Sequence, residues 1–375
     1  MQFAIRFAIV FSFFFGAGNQ SKADNTFRPL FNGKDLSGWV NVNTAPSTWS
    51  IEDGLLICSG KPVGEIRTDR MYQNFILELE WRHMVPRGNA GVFIWADDIT
   101  AKGQPFHRGI EVQVLENAFG KGDWFTTHGD IFPIHGAKMT PINGRGRSRA
   151  FPTEERSKPS PNWNHYRIEC NEGNISLAVN GKVVTRGEDC TPSKGYICLE
   201  SEGGIVHYRN IRIKELPDTP IADTQIAIKN RGYRCLYSGV DLTGWKTDGS
   251  NWSSRDWVLA YTGDGTQGSI STNEQFGDLG FIVDVRSKDS GSSITIDVRG
   301  AKIVVAPESL VKKKMLTKAT DWVRIEGTLI GDKLIATANG HEFLDINADV
   351  KPNGPITIHA TAPTDFANTY IREIR

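Results

Sequence analysis

The sequence predicts an all-β protein built from two-sheet sandwiches, and three observations support this prediction. Apolar and polar residues alternate with a period of two, as in the segment Ile110–Val114. Turn-forming residues separate such segments, and Asn180-Gly181 is a strong hairpin signal because both residue types tolerate a positive φ. The 375 residues include 38 glycines and ten tryptophans, with few helical patterns, which is typical of β-rich chains.

Five segments in the first half of the chain show this alternation. In each, apolar residues lie on one face and more polar residues on the other. One face is therefore expected to form the core, and the other to line a surface or a groove. The predicted strands are Phe75–Arg82, Ile110–Leu115, Tyr166–Glu169, Ile175–Val179 and Ile205–Ile213.

The second half of the chain repeats features of the first half in the same order. The opening segment Leu30–Trp39 reappears as Leu236–Trp245, with most positions identical. Further along, the Arg-Ile-Glu triplet at Arg167 recurs at Arg324, and the Asn-Gly turn recurs at Asn339. Because chance is a poor explanation for collinear matches, the pattern indicates a duplication with a shorter, degenerate second copy.

A proline-containing boundary separates the two copies. Pro217 and Pro220 lie among turn-forming residues, which suits a linker. We therefore predict a signal peptide at 1–23, a first sandwich at 24–217, a linker at 218–229 and a reduced second sandwich at 230–375. The stretch between the strands near Arg82 and Arg167 is shortened in the second copy, so functional residues are expected within it.

The first 23 residues have the pattern of a secretory signal peptide. Arg6 precedes the apolar run Phe7–Phe15, and the small residues Ser21 and Ala23 stand where cleavage after Ala23 requires them. The run is too short to span a bilayer, and an uncleaved anchor is the alternative. The pattern predicts export to the periplasm or the extracellular space, with no stable membrane span after cleavage.

The charge balance argues against a nucleic-acid partner. The chain has 43 Lys and Arg residues against 43 Asp and Glu residues, without the basic excess that binds phosphates. The five cysteines form an odd, irregularly spaced set, which does not indicate a disulfide framework. No Cys-x-x-Cys pair is present, which argues against the common structural zinc sites.

Six motifs follow one another along the first half of the chain: Leu30–Trp39, Gly88–Phe93, Ile110–Glu116, Trp163–Arg167, Val179–Gly181 and Arg209–Ile213. This ordered set resembles the 3-keto-disaccharide hydrolase domain family, which includes the 3-keto-glucoside 1,2-lyase and 3-keto-2-hydroxy-glucal hydratase types. The resemblance covers roughly residues 26–216 and implies a concanavalin A-like jelly roll. It also implies a carbohydrate substrate, a 3-keto-glycoside, and cleavage of its glycosidic bond.

The implied chemistry differs from ordinary glycoside hydrolysis. A ketone at C3 of the sugar acidifies the proton on C2, so a base can remove that proton and give an enolate. The enolate expels the group at C1, and water then adds to the resulting 2-hydroxy-glucal. Such a site needs one base, a positive group near the C3 oxygen and an acid for the leaving oxygen.

Four polar residues on predicted strands are candidates for this site. Glu111 and Gln113 share the polar face of one strand, so Glu111 is expected to be catalytic and Gln113 to bind substrate. Glu116 follows at the end of that strand and is a substrate-binding candidate, with turn formation as the alternative. Glu200 lies on the polar face of a later strand and is also expected to reach the groove.

A histidine-rich segment of the first copy supplies the other candidates. His128 and His135 are proposed as catalytic because histidine titrates near neutral pH, and Asp130 is expected to bind substrate. Lys138 follows directly and could stabilise an enolate. Alternatively, the two histidines and Asp130 could join Glu111 around a divalent metal ion, or the segment could be a rigid structural loop.

Two tryptophans are candidates for stacking on sugar rings. Trp95 and Trp124 occur in the first copy, and the apolar C–H face of a sugar suits an aromatic face. The combined pattern favours an exported enzyme that cleaves 3-keto-glycosides. The alternatives are a lectin-like glycan-binding protein without catalysis and a structural surface domain, since a fold does not determine function.

Overall fold

A computed structural model describes residues 26–249, 251–263, 265 and 267–374. The predicted signal peptide lies outside these residues. The described part is almost entirely β-structure, arranged in four sheets with one short α-helix. Within it, no helix is long and apolar enough to cross a membrane.

The first half of the chain forms two antiparallel sheets. One has nine strands in the order β10-β13-β12-β11-β6-β15-β4-β3, with β1 paired to β15, and the other has six in the order β2-β5-β14-β7-β8-β9. A 3₁₀ turn spans Asn117–Phe119. The strands are β1 (Arg28–Pro29), β2 (Trp39–Asn41), β3 (Trp49–Glu52), β4 (Leu55–Cys58), β5 (Gly64–Thr68), β6 (Phe75–His83), β7 (Asn89–Ala96), β8 (Gly109–Leu115), β9 (Ile131–Ile134), β10 (Lys138–Pro141), β11 (Asn164–Asn171), β12 (Asn174–Val179), β13 (Lys182–Thr191), β14 (Tyr196–Ser201) and β15 (Val206–Glu215).

The second half forms two further sheets of eight and five strands. Their orders are β18-β19-β28-β21-β24-β25-β26, with β16 paired to β28, and β17-β20-β27-β22-β23. A 3₁₀ turn at Asp223–Gln225 precedes them, and the helix α1 spans Pro307–Lys312. The strands are β16 (Arg234–Cys235), β17 (Trp245–Thr247), β18 (Trp252–Arg255), β19 (Val258–Tyr261), β20 (Gly268–Thr272), β21 (Leu279–Ser287), β22 (Ile294–Val298), β23 (Ala301–Val305), β24 (Val323–Ile330), β25 (Lys333–Ala338), β26 (His341–Asn347), β27 (Ile356–Ala360) and β28 (Thr364–Glu373).

The core of the first half lies between its two sheets, as the alternation predicts. Leu77 of the nine-stranded sheet and Val112 of the six-stranded sheet are buried in one hydrophobic cluster. Asn180 and Gly181 adopt positive φ angles of 49° and 87° at the β12–β13 hairpin. The all-β jelly-roll sandwich is therefore confirmed, and the polar face of the six-stranded sheet is turned away from this core.

Equivalent contacts recur in the two halves. The indole Nε1 of Trp39 donates to the carbonyl of Leu30 at 3.0 Å, and that of Trp245 donates to the carbonyl of Leu236 at the same distance. These contacts support the predicted duplication, which stays a prediction. The five cysteines of the chain are free thiols.

A loop of the first half, residues 98–107, is held by the second half and is called the clamped loop below. The buried carboxylate of Asp284 accepts a hydrogen bond from the backbone N–H of Gly103 at 2.8 Å. The amide of Asn368 donates to the carbonyls of Ala101 and Gln104 at 2.9 and 3.0 Å. Backbone groups of this loop thus find their partners in the other half of the chain.

The carboxylate of Asp284 also binds an arginine of the second half that contacts the loop. Arg324 donates to Asp284 from Nε at 2.7 Å and from Nη2 at 2.8 Å. Its Nη2 also donates to the carbonyl of Thr100 at 3.0 Å, so one guanidinium joins the carboxylate and the clamped loop. A Cβ on Gly103 would lie 2.3 Å from the ring of Trp322, so only glycine fits there.

Candidate active site

A cluster of carboxylates lies on the polar face of the six-stranded sheet. Strand pairing places Glu200 of β14 opposite Glu65 of β5. On the other side of β14, the register of its pairing with β7 places Gly91 opposite Glu200. Glu111 of β8 pairs with Phe93 of β7, two residues beyond Gly91. Because residues paired across antiparallel strands point to the same face, these side chains share one surface.

Gly91 lets two of these carboxylates converge. A Cβ at this position would lie 2.8 Å from Oε2 of Glu200 and 3.1 Å from Oε1 of Glu111. Both side chains therefore occupy the space above the α-carbon of Gly91. Each is almost completely buried, with 1% exposure for Glu200 and 6% for Glu111.

A chain of two amides on the same face leads to a third carboxylate. Gln113, two residues beyond Glu111, donates from Nε2 to Oδ1 of Asn89 at 2.9 Å. Asn89 in turn donates from Nδ2 to Oε2 of Glu202. The side chain of Glu202 is only partly buried, so the cluster reaches solvent at this end.

Burial and mutual repulsion raise the pKa values of the carboxyl groups in the cluster. Burial, reinforced by the charge of Glu202, raises the pKa of Glu111 well above its usual value, and the cation Arg149 only partly opposes this. Burial and the charge of Glu111 raise the pKa of Glu200 in the same way. Burial raises the pKa of Glu202 to about 7, against the hydrogen bond from Asn89. Near neutral pH the site therefore offers both protonated and ionised carboxyl groups.

An aromatic cleft with a basic wall adjoins the cluster. Its volume is about 800 Å³. Phe132 pairs with Glu111 across β8 and β9, which brings the cleft to the edge of the cluster. The guanidinium of Arg149 lies 3.5 Å from the centre of the Phe132 ring, and Trp124 is 64% exposed. The cleft is lined by Asp123, Trp124, Phe132, Pro133, Arg145, Arg147, Ser148, Arg149 and Phe151.

The structure brings together three of the residues that the sequence predicted for the site. Glu111, Gln113 and Glu200 share the polar face of the six-stranded sheet. Asp130 lies beside them, since its carbonyl accepts from the N–H of Gln113 at 3.0 Å. Its carboxylate accepts from the N–H of Thr126 at 2.8 Å and from Nη1 of Arg149 at 3.1 Å. The carboxylate of Asp130 therefore holds Arg149, and its role in substrate binding stays a prediction.

Backbone N–H groups also engage the carboxylate of Glu116. Its Oε2 accepts from the N–H groups of Arg87 and Ala118 at 2.8 and 2.7 Å, and its Oε1 accepts from the N–H of Ser160 at 3.0 Å. Burial acts to raise its pKa, but these three donors outweigh it and hold the pKa below the usual value. Both oxygens are engaged with the backbone, which favours the turn-forming alternative for Glu116 over substrate binding.

No hydrogen bond joins the predicted histidines or lysine to Glu111, Glu200 or Glu202 among the described residues. Nδ1 of His128 lies 2.7 Å from Oγ of Ser157, and its ring lines a cleft of about 490 Å³ that adjoins the aromatic cleft. His135 is in the turn after β9, three residues beyond the partner of Glu111, and burial, helped by the charge of His107, lowers its pKa. Lys138 is exposed on β10 of the nine-stranded sheet, opposite Thr191.

The metal site suggested by the sequence is not formed either. Among the described residues, the ligand atoms of His128, Asp130, His135 and Glu111 do not come together in one group. Within the described ranges, the side chains that could jointly bind a metal ion are a different set, namely Glu65, His107 and Cys198.

The two predicted stacking residues differ in their surroundings. Trp124 is exposed in the cleft beside Arg147, whose guanidinium lies 5.7 Å from its ring centre. Trp95 is fully buried in the core, and its Nε1 donates to the carbonyl of Gln73 at 2.9 Å. Trp95 therefore cannot contact a sugar, and the prediction for this residue is wrong.

Sequence reasoning missed four residues of the cluster and its surroundings. Glu65 and Glu202 become neighbours of Glu111 only through strand register, which the sequence does not give. Asn89 lies two residues before Gly91 on the same face, so its position follows from alternation once β7 is assigned. Arg149 is in a loop without periodicity, so no pattern in the sequence could indicate it.

Comparison with known proteins identifies the family. A model of the 3-keto-alpha-glucoside-1,2-lyase-like domain matches residues 26–214, which contain the whole carboxylate cluster. The chain belongs to this family. A relative named 3-keto-disaccharide hydrolase, from Bacteroides thetaiotaomicron, is 25% identical over 239 residues, covering 50% of this chain and 77% of the relative. Membership of the 3-keto-alpha-glucoside-1,2-lyase-like family makes the chain a carbohydrate-active protein of the hydrolase type.

Two solved structures are similar to part of this family member. A Parabacteroides distasonis protein described as a glycosyl hydrolase is 21% identical with a TM-score of 0.39, covering 51% of this chain and 94% of that protein. A carbohydrate-binding module from Bacillus subtilis is 15% identical with a TM-score of 0.36, covering 48% of this chain and 98% of the module.

Proposed function

We propose that the protein is an exported enzyme that cleaves 3-keto-glycosides or 3-keto-disaccharides by elimination followed by hydration. The observation that carries this proposal is the carboxylate cluster of Glu111, Glu200 and Glu202, which holds protonated and ionised carboxyls next to an aromatic cleft. Family membership supports the 3-keto sugar as substrate. The signal-peptide pattern of residues 1–23 supports export.

Each of the three groups that the elimination requires has a candidate here. Glu202 is the proposed base, because a pKa of about 7 leaves it roughly half ionised near neutral pH, where a base is most effective. Glu111 is the proposed acid, because burial keeps its carboxyl protonated. Arg149, at the edge of the cleft, is proposed to stabilise the negative charge that develops on the C3 oxygen.

The proposed steps balance without an oxidant or reductant. Glu202 removes the C2 proton, and the electron pair moves toward the C3 carbonyl to form the enolate. The enolate then forms the C1–C2 double bond while the C1–O bond breaks, and the leaving oxygen takes a proton from Glu111. In hydration, the oxygen of water bonds to C1 and a proton returns to C2, so the net reaction is hydrolysis.

The test is to incubate the purified protein with 3-keto-trehalose or a 3-keto-glucoside and to measure product release. We expect Glu202→Gln and Glu111→Gln to lower kcat about 10²-fold or more, the usual contribution of general acid–base catalysis. The control is Glu155→Gln, which changes an exposed carboxylate of the same half that pairs with Lys121 at 2.8 Å. Wild-type kcat in both cluster variants would contradict the assigned roles.

A lectin-like function is the second candidate, favoured by the exposed Trp124 in a cleft of about 800 Å³. Exposed aromatic rings bind the apolar faces of sugars without any catalysis. Glycan binding that is lost in Trp124→Ala, together with no product release from any 3-keto-glycoside, would favour this function over the enzyme.

A further inference from the structure

Three side chains with metal-binding chemistry meet beside the carboxylate cluster. Glu65 of β5, Cys198 of β14 and His107 of the clamped loop are all completely buried. Their ligand atoms lie within 4.8 Å of one another. The three residues come from separate parts of the chain, so no spacing motif in the sequence could indicate them.

Two atoms of this group lack hydrogen-bond partners. Oε2 of Glu65 accepts from the backbone N–H of His107 at 2.8 Å and also contacts Nδ1 of its ring. The second carboxylate oxygen, Oε1, and the second ring nitrogen, Nε2, have no partner among the described residues. Buried polar atoms are rarely left unpaired, because the loss of their hydration costs about 1–3 kcal/mol each.

Further ionisable groups surround the three side chains. Glu200 lies two residues from Cys198 on the same face of β14 and opposite Glu65, and its Oε2 also has no partner among the described residues. The buried cation Arg67 of β5 lies opposite Cys198. A bound metal ion would supply the partner that the buried oxygen atoms of Glu65 and Glu200 lack.

We propose that Glu65, His107 and Cys198 bind a zinc ion beside the carboxylate cluster. Carboxylate, imidazole and thiolate are the ligand types that zinc accepts, and calcium or magnesium would prefer oxygen ligands throughout. Three protein ligands leave a fourth position for water or for a substrate oxygen. The proposal concerns metal binding itself and does not depend on the reaction proposed above.

The test measures metal binding directly on the full chain. After dialysis against zinc and removal of excess metal, mass spectrometry should find about one zinc ion per chain. The protein freed of metal and titrated with cobalt(II) should develop a thiolate-to-cobalt charge-transfer band. Cys198→Ser should abolish this band and weaken metal affinity about tenfold or more. Cys190→Ser, which changes another buried free thiol outside the group, should retain both properties.

Two results would overturn the proposal. One is a wild-type protein that binds neither metal under these conditions. The other is a folded Cys198→Ser protein whose cobalt spectrum and zinc affinity match those of the wild type. If Cys198→Ser does not fold, X-ray absorption spectroscopy of the zinc-loaded wild type decides. One sulfur ligand at about 2.3 Å supports the site, and a shell without sulfur overturns it.

Discussion

Gly91 offers a direct test of the carboxylate cluster, because a single methyl group placed there meets only the cluster. In Gly91→Ala the new Cβ would lie 2.8 Å from Oε2 of Glu200 and 3.1 Å from both Oε1 and Cγ of Glu111. Gly91 is not among the glycines with a positive φ, so alanine fits its backbone conformation. The steric cost therefore falls on the two side chains.

The size of the effect follows from these distances. Ordinary carbon and oxygen contacts begin near 3.4 Å, so each carboxylate must move by a few tenths of an ångström. Misplacement of catalytic groups by about 1 Å can cost 10²-fold in rate, so this smaller shift predicts a loss of about 10-fold in kcat/KM. Overpacking of a buried site costs about 1–3 kcal/mol, and the low end is expected because both side chains are flexible.

The assay compares kcat and KM for one 3-keto-glycoside with the thermal unfolding of the same proteins. The control is Gly249→Ala, where the new Cβ would have no atom within 4 Å and both quantities should stay at wild-type values. Wild-type kcat/KM in a folded Gly91→Ala protein would refute the reasoning, since the reaction would then not require the convergence of Glu111 and Glu200.

Three further predictions concern stability and binding. The raised pKa of Glu200 makes the folded state bind a proton that the unfolded state releases above about pH 4.5, so stability should fall as pH rises toward the folded pKa. Thermal unfolding from pH 5 to 8 should show a smaller fall in Glu200→Gln than in the wild type; equal slopes would contradict this. Asp284→Asn should speed hydrogen exchange of the clamped loop and destabilise the protein by about 3 kcal/mol, because it removes the carboxylate partner of Arg324, whose side chain is only 16% exposed. Asp278→Asn, which removes the carboxylate partner of Arg299 at the far end of β21 from Asp284, should leave that exchange unchanged. Trp124→Ala should raise KM and leave kcat near its wild-type value, and a lower kcat with unchanged KM would exclude a stacking role.

Alternation along single strands predicted part of the site correctly. It placed Ile110, Val112 and Val114 in the core and so turned Glu111 and Gln113 to the opposite face. The proximity of Glu65 to this pair depends instead on register across several strands. Such register arises from pairing between distant segments, so inspection of one strand at a time could not reveal it.

Trp95 shows where alternation fails. If side chains alternated strictly, Trp95 would lie on the same face as Gly91 and Phe93, where it could stack on a sugar. The backbone of Trp95 has a positive φ of 54°, and the pairing of β14 with β7 shifts register between Tyr196 and Cys198. This bulge turns the indole into the core, because an extra residue reverses the facing of the side chains that follow.

The clamped loop makes the structure of the first half depend on the second half. The family match ends at residue 214, yet the loop that carries His107 to Glu65 finds hydrogen-bond partners at Asp284 and Asn368. A chain without the second half would leave those backbone groups of the loop unpaired. The second half can therefore vary at its other surfaces, but its removal would loosen a wall of the first half.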